Sequence, residues 1–133
     1  MSPDRVRSLS HFVFMPVPNF TMIAFTNAIE ILRMANYLSG ETLYRWTIAS
    51  PEGGPVHASN GLAIDTVPVA SVSRADIVFV CGGINVQRET RPEHLAALRA
   101  FARANVMLGS LCTGTYTLAK SGLLAGYACA IHW

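Results

Sequence analysis

Asp76-Ile77-Val78-Phe79-Val80-Cys81-Gly82-Gly83 carries, after its aspartate, an unbroken apolar run closed by two glycines. A strand with one wet face alternates apolar and polar residues, whereas a strand of a parallel sheet covered by helices on both sides is apolar throughout. The run therefore predicts a central parallel strand, with Val78 and Val80 buried in mid-sheet.

Outward from this strand, the chain alternates between strand and helix. Upstream, Ser10 to Met15 reads as a buried first strand that must stop at the loop Pro16-Val17-Pro18-Asn19. Between Phe20 and Leu38 the residues Ile23, Ile29, Leu32, Met34 and Leu38 recur at helical spacing, and Ser39-Gly40 supplies the stop. Leu43 to Ile48 is a second strand, and two short extended pieces meeting around Ser59-Asn60-Gly61 resemble a small antiparallel flap. Downstream, Pro92 opens a helix carrying Leu95, Leu98 and Phe101, Val106 to Leu108 forms a strand, and Ala128 to Trp133 reads as another buried one. This β/α alternation predicts right-handed crossovers and an α/β fold: a doubly wound, mainly parallel, flavodoxin-like sheet with helices on both faces.

The composition excludes several classes of function. With 133 residues, 51% of them hydrophobic and 14% charged, and a mean hydropathy of +0.35, one core is expected and much surface must be apolar. Soluble proteins cover such surface with a partner, which points to a homodimer. Net charge is only +2 and the ten Lys and Arg residues are scattered, so this segment has no stripe for nucleic-acid phosphates. No apolar run approaches the roughly 20 residues of a membrane span, and the N-terminus lacks a signal-peptide core, so the chain reads as cytoplasmic. Cys81, Cys112 and Cys129 are odd in number and lack CxxC or Cys/His spacing, arguing against disulfides, a metal or a cofactor. A strand running to Trp133 suggests a domain that continues beyond residue 133.

The chemistry is concentrated in Gly109-Ser110-Leu111-Cys112-Thr113-Gly114, between a strand and a helix. A nucleophile on such a turn is pushed out of the sheet, small neighbours let the turn close, and the helix start favours thiolate. Cys112 is then expected to react faster than Cys81 or Cys129, which lie in apolar strands and read as buried. The turn can offer backbone amides to an anion, with Gly83 as a second donor. The plainer reading is a small core thiol. Glu30 either reaches the pocket or is a solvated helix carboxylate. His11, His57 and His94 share no spacing and read as surface or structural, and Tyr44 and Trp46 read as core rather than an amine cage.

Taken with Cys81-Gly82-Gly83 upstream and Ala130-Ile131-His132-Trp133 downstream, the Cys112 turn resembles the PfpI-like branch of the class I glutamine amidotransferase superfamily. Pro18 to Phe25, Glu30, Arg33-Met34-Ala35-Asn36, Leu43-Tyr44-Arg45-Trp46 and Ser59-Asn60-Gly61-Leu62 more narrowly resemble the N-terminal domains of GlxA-type regulators of the AraC family. Met34-Ala35-Asn36 and Ser59-Asn60-Gly61 are most similar to regulators of glycine betaine, carnitine or arginine catabolism. The resemblance implies that residues 1–133 are a PfpI-like sensor domain cut short at its C-terminal end. DNA would be bound by a helix-turn-helix domain outside this chain. The resemblance also places the superfamily nucleophile on Cys112, its oxyanion glycine on Gly83 and its occasional histidine on His132. The acid often found six residues before Glu30 is Ala24 here, leaving nothing obvious to orient the thiol. The expected function is accordingly a non-enzymatic sensor that binds a small metabolite through Cys112, Gly83, Asn85, Thr113, His132 and Glu30. The alternatives are a cysteine-dependent hydrolase, deglycase or isomerase, and a dimerisation module with a vestigial pocket.

Overall fold

The computed structural model describes residues 8–130. In chain order the elements are β1 (His11–Pro16), α1 (Met22–Ser39), β2 (Arg45–Ser50), β3 (Gly54–His57), β4 (Ala63–Pro68), β5 (Ile77–Cys81), α2 (Val86–Glu89), α3 (Pro92–Arg103), β6 (Met107–Leu111) and α4 (Gly114–Lys120). The strands form a six-stranded sheet in the order β3-β4-β2-β1-β5-β6. All neighbours run parallel except the β3–β4 hairpin. The apolar run that predicted a central strand is β5, held between β1 and β6, and Val78 and Val80 are fully buried.

The period of two along a strand sorts the core into two layers. Val13, Met15, Val78 and Val80 point to the face covered by Leu98 and Phe101 of α3 and Leu118 of α4. Phe14 and Cys81 point to the other face, under Phe25 and Leu32 of α1. On that second face Phe79 stacks on Phe14 and Phe12, with ring centroids 5.8 Å and 6.4 Å apart. This is the three-layer, doubly wound arrangement predicted from the alternation of elements.

Two expectations need correction and one is extended. The antiparallel hairpin expected around Ser59-Asn60-Gly61 is present, and β4 also joins the sheet through Ala49↔Val67 and Ser50↔Pro68. β6 is shifted past residues 106–108 and keeps Gly109 and Ser110 in the strand. Gly109 sits there because the Phe79 ring lies over it, 2.5 Å from where a Cβ would be. Finally, residues 128–130 are exposed and in no strand, and Cys129 is exposed rather than buried. An apolar run becomes a strand only when a neighbour takes its backbone hydrogen bonds, and among the described residues none pairs with it.

The three histidines read as surface or structural are of both kinds. His11 is buried and ties three segments together, with Nε2 2.8 Å from Thr47 Oγ1 and Nδ1 3.4 Å from the Arg74 carbonyl. His94 is almost wholly buried, and His57 is exposed on β3. Tyr44 and Trp46 pack against the α1-side core, Tyr44 edge-on to Phe12.

Candidate functional site

The chain leaves β1 through α1 toward β2 on one side, while β5 flanks β1 on the other. Loops therefore diverge at the carboxyl ends of β1 and β5, where open α/β sheets place their ligands. The two loops are bonded directly to each other. Val17 N–H donates to the Cys81 carbonyl at 2.9 Å, Thr21 N–H to Gly82 at 3.0 Å, and Ile84 N–H to Asn19 at 3.2 Å. This approach requires Gly83: a Cβ there would lie 2.1 Å from the Asn19 carbonyl oxygen.

Gly83 faces Phe20 as an antiparallel bridge in which neither residue bonds the other. Its N–H and C=O both turn the opposite way, and the carbonyl accepts Thr113 Oγ1 at 2.7 Å. Thr113 lies in the turn between β6 and α4, so the third loop is fastened beside the first two. A second pair of hydroxyls, Ser110 Oγ and Thr115 Oγ1 at 2.6 Å, closes that turn from below.

Cys112 stands at its apex with φ of 53°, in the left-handed region that costs an ordinary side chain energy. The thiol is half-buried, and among the described residues its one side-chain hydrogen-bond partner is Thr21 Oγ1, 3.4 Å away. Thr21 is the N-cap of α1, a position where a threonine hydroxyl ordinarily accepts a backbone N–H of the first turn. It makes no such bond, and its hydroxyl turns to the sulfur instead. The strained turn predicts that Cys112→Gly is more stable than Cys112→Ala by about 1 kcal/mol, because glycine adopts positive φ without a Cβ clash. Chemical denaturation of the two variants checks this, and equal stabilities would show the turn to be relaxed.

The structure thus brings together Cys112, Thr113 and Gly83. Asn85 follows two residues later, exposed, with φ of 58° at the start of α2. Glu30 is not in this group. It is exposed and bonded to Arg33, whose guanidinium draws its carboxyl below the ordinary range. The cause is helical phase: at about 100° per residue, Glu30 lies roughly 140–160° round from Phe25 and Leu32, the residues α1 buries. His132 lies outside the described residues. Ala24 sits in the first turn of α1, so no acid occupies that position.

Thr21 is the participant the sequence reading missed, since a threonine before a helix looks like an ordinary cap. Cys81 lies behind the site, fully buried, and burial pushes its thiol well above the usual range, with the Cys112 thiol adding to the shift. Among the described residues no group of His, Cys, Asp or Glu could hold a metal, and no helix is long and apolar enough to cross a membrane.

Comparison with known proteins finds relatives along nearly the whole chain. Residues 20–133 match the DJ-1/PfpI family. The chain is 46% identical over 134 residues to the HTH-type transcriptional regulator GbdR of Pseudomonas aeruginosa, covering 98% of this chain and 36% of that protein. It is 33% identical to the HTH-type transcriptional regulator GlxA of Rhizobium meliloti, over 96% of this chain and 40% of that one. The chain thus spans little more than a third of the length of these relatives. A crystal structure of an AraC family transcriptional regulator from Pseudomonas putida superposes with a TM-score of 0.82 at 30% identity, covering 92% of this chain and 66% of that one.

Proposed function

The chain belongs to the DJ-1/PfpI family, and from that premise we propose that it is the ligand-sensing domain of a bacterial AraC-type transcription regulator. In this reading a small metabolite, an amine or amino-acid derivative, binds at the carboxyl ends of β1, β5 and β6 beside Cys112, Gly83, Asn85 and Thr113. Its binding changes how helix-turn-helix domains outside this chain are presented to DNA. The observation that carries the proposal is the partner of the thiol. Cys112 is paired with the hydroxyl of Thr21, and the position where an enzyme of this type keeps an acid is Ala24. A hydroxyl can hold a thiol but cannot shuttle protons near neutral pH, and that shuttling is typically worth about 10² to 10⁴ in rate.

A homodimer fits the outer face of α1, where Ile23, Ile31, Met34 and Leu38 follow one another along the helix and are all exposed. Paired sensor domains would set paired DNA-binding domains on two half-sites.

The test uses the whole protein. A panel of betaines, amino acids and their amides is screened by thermal shift, and each hit is repeated on Cys112→Trp, which fills the cleft. Stabilisation lost in that variant is the expected result. Esterase, amidase and deglycase assays are run in parallel, and turnover that vanishes in Cys112→Ala would establish the enzyme reading instead.

A further inference from the structure

On the other side of the β1 loop from Cys112 lies a second pocket, of about 220 Å³, at the carboxyl ends of β1 and β2 and the start of α3. Its walls include Pro18, Pro55 and Val56, and its polar groups include Arg91, His94 and Glu52. His94 is 1% exposed. Its Nδ1 accepts the backbone N–H of Arg91 at 3.0 Å, so in the neutral ring the hydrogen is on Nε2. Among the described residues Nε2 has no protein partner, yet none of their buried polar side-chain atoms is left unsatisfied, so this N–H retains access to the pocket that His94 lines. A donor that opens into a pocket and has no fixed protein acceptor is free to bond a ligand there.

The charge beside it has the matching sign. Arg91 is the residue at the start of α3, where backbone N–H groups already favour an anion. Its guanidinium is 3.8 Å from Glu52, and both side chains are largely in water, a contact of little worth that an incoming anion can displace. A guanidinium presents two parallel donors that fit a carboxylate, and the prolines and valine offer an apolar wall to what is attached to it.

We propose that this pocket is a binding site for a small carboxylate with a short apolar tail, held by the Arg91 guanidinium and the Nε2–H of His94. It shares no residue with the Cys112 site and stands or falls independently of it.

The probe is sodium propionate, titrated at constant ionic strength into the whole protein carrying ¹⁵N-labelled histidine. The expected result is a saturable shift of the His94 Nε2 resonance that sodium chloride does not reproduce. Arg91→Gln, a surface change, should weaken propionate binding about ten-fold, and Glu52→Gln should tighten it a few-fold by freeing the guanidinium. No saturable shift, a shift equally produced by chloride, or one indifferent to Arg91→Gln would overturn the proposal. His94→Gln, which retains a donor near the Nε2 position, should preserve more binding than His94→Leu. Equal loss in two folded variants would likewise count against it.

Discussion

Gly114→Ala is expected to destabilise the fold by about 3 kcal/mol or more, lowering the unfolding midpoint by roughly 10 °C. A Cβ at this position would lie 2.2 Å from the Val80 carbonyl oxygen and 2.9 Å from its carbon. Neither atom belongs to a side chain that could rotate away. Val80 is fully buried in β5, which is pinned between β1 and β6, so the clash can be relieved only by moving the central strand or lifting α4 off it. Lifting α4 also breaks the contact of Thr117 Oγ1 with Thr90 Oγ1, 2.7 Å apart, and pulls Cys112 away from Thr21. The comparison is Gly40→Ala at the end of α1, where φ is 71° but nothing lies within 4 Å of the added carbon. That change is expected to cost only about 1 kcal/mol, from backbone strain alone. Thermal unfolding followed by circular dichroism separates the two, and a Gly114→Ala as stable as Gly40→Ala would mean that α4 does not pack this closely on β5.

What was legible in the sequence was what repeats locally. The run from Ile77 to Cys81 has no polar interruption because both faces of β5 are covered, and that alone located the middle of the sheet. The spacing of apolar residues marked α1 as a helix but not its buried side, because Ile23, Met34 and Leu38 are exposed while Phe25 and Leu32 face the sheet. Measured from Phe25 and Leu32, the phase already sends Glu30 to solvent. The elbow at Cys112 was readable because a strand, a nucleophile and small residues follow one another directly. Its partner was not, since the pairing of Thr21 with a sulfur 91 residues away depends on β1 and β6 ending at the same edge of the sheet. Ala128 to Ala130 failed for a related reason: hydrophobicity measures a tendency to be covered and does not name the neighbour. His94 escaped because its role is set by backbone. The usual residue at the third position of a helix that bonds back to the cap is Glu or Gln, and here a ring nitrogen takes that place.

That ring gives the second large effect, a loss of stability in mild acid. Burial, with the charge of Arg91 acting in the same direction and that of Glu93 against it, pulls the His94 imidazole from 6.5 down to about 4. In the unfolded chain the ring takes up a proton as pH falls through 6.5, whereas in the folded protein it stays neutral until about 4. Between those values the unfolded state binds more protons, so the contribution of His94 to stability is complete above about 6.5 and is lost as pH falls. The expected loss is about 2 kcal/mol between pH 7 and pH 5, approaching 3 kcal/mol as the folded value is reached. The informative quantity is a difference between two proteins that differ only at this ring. His94→Asn keeps an acceptor for the Arg91 N–H but cannot be protonated. It is expected to be the less stable protein at pH 7, through lost packing, and to draw level by about 2 kcal/mol at pH 5. Urea unfolding midpoints at the two pH values measure this convergence, and parallel decline of the two proteins would show that His94 is not held neutral in the folded state.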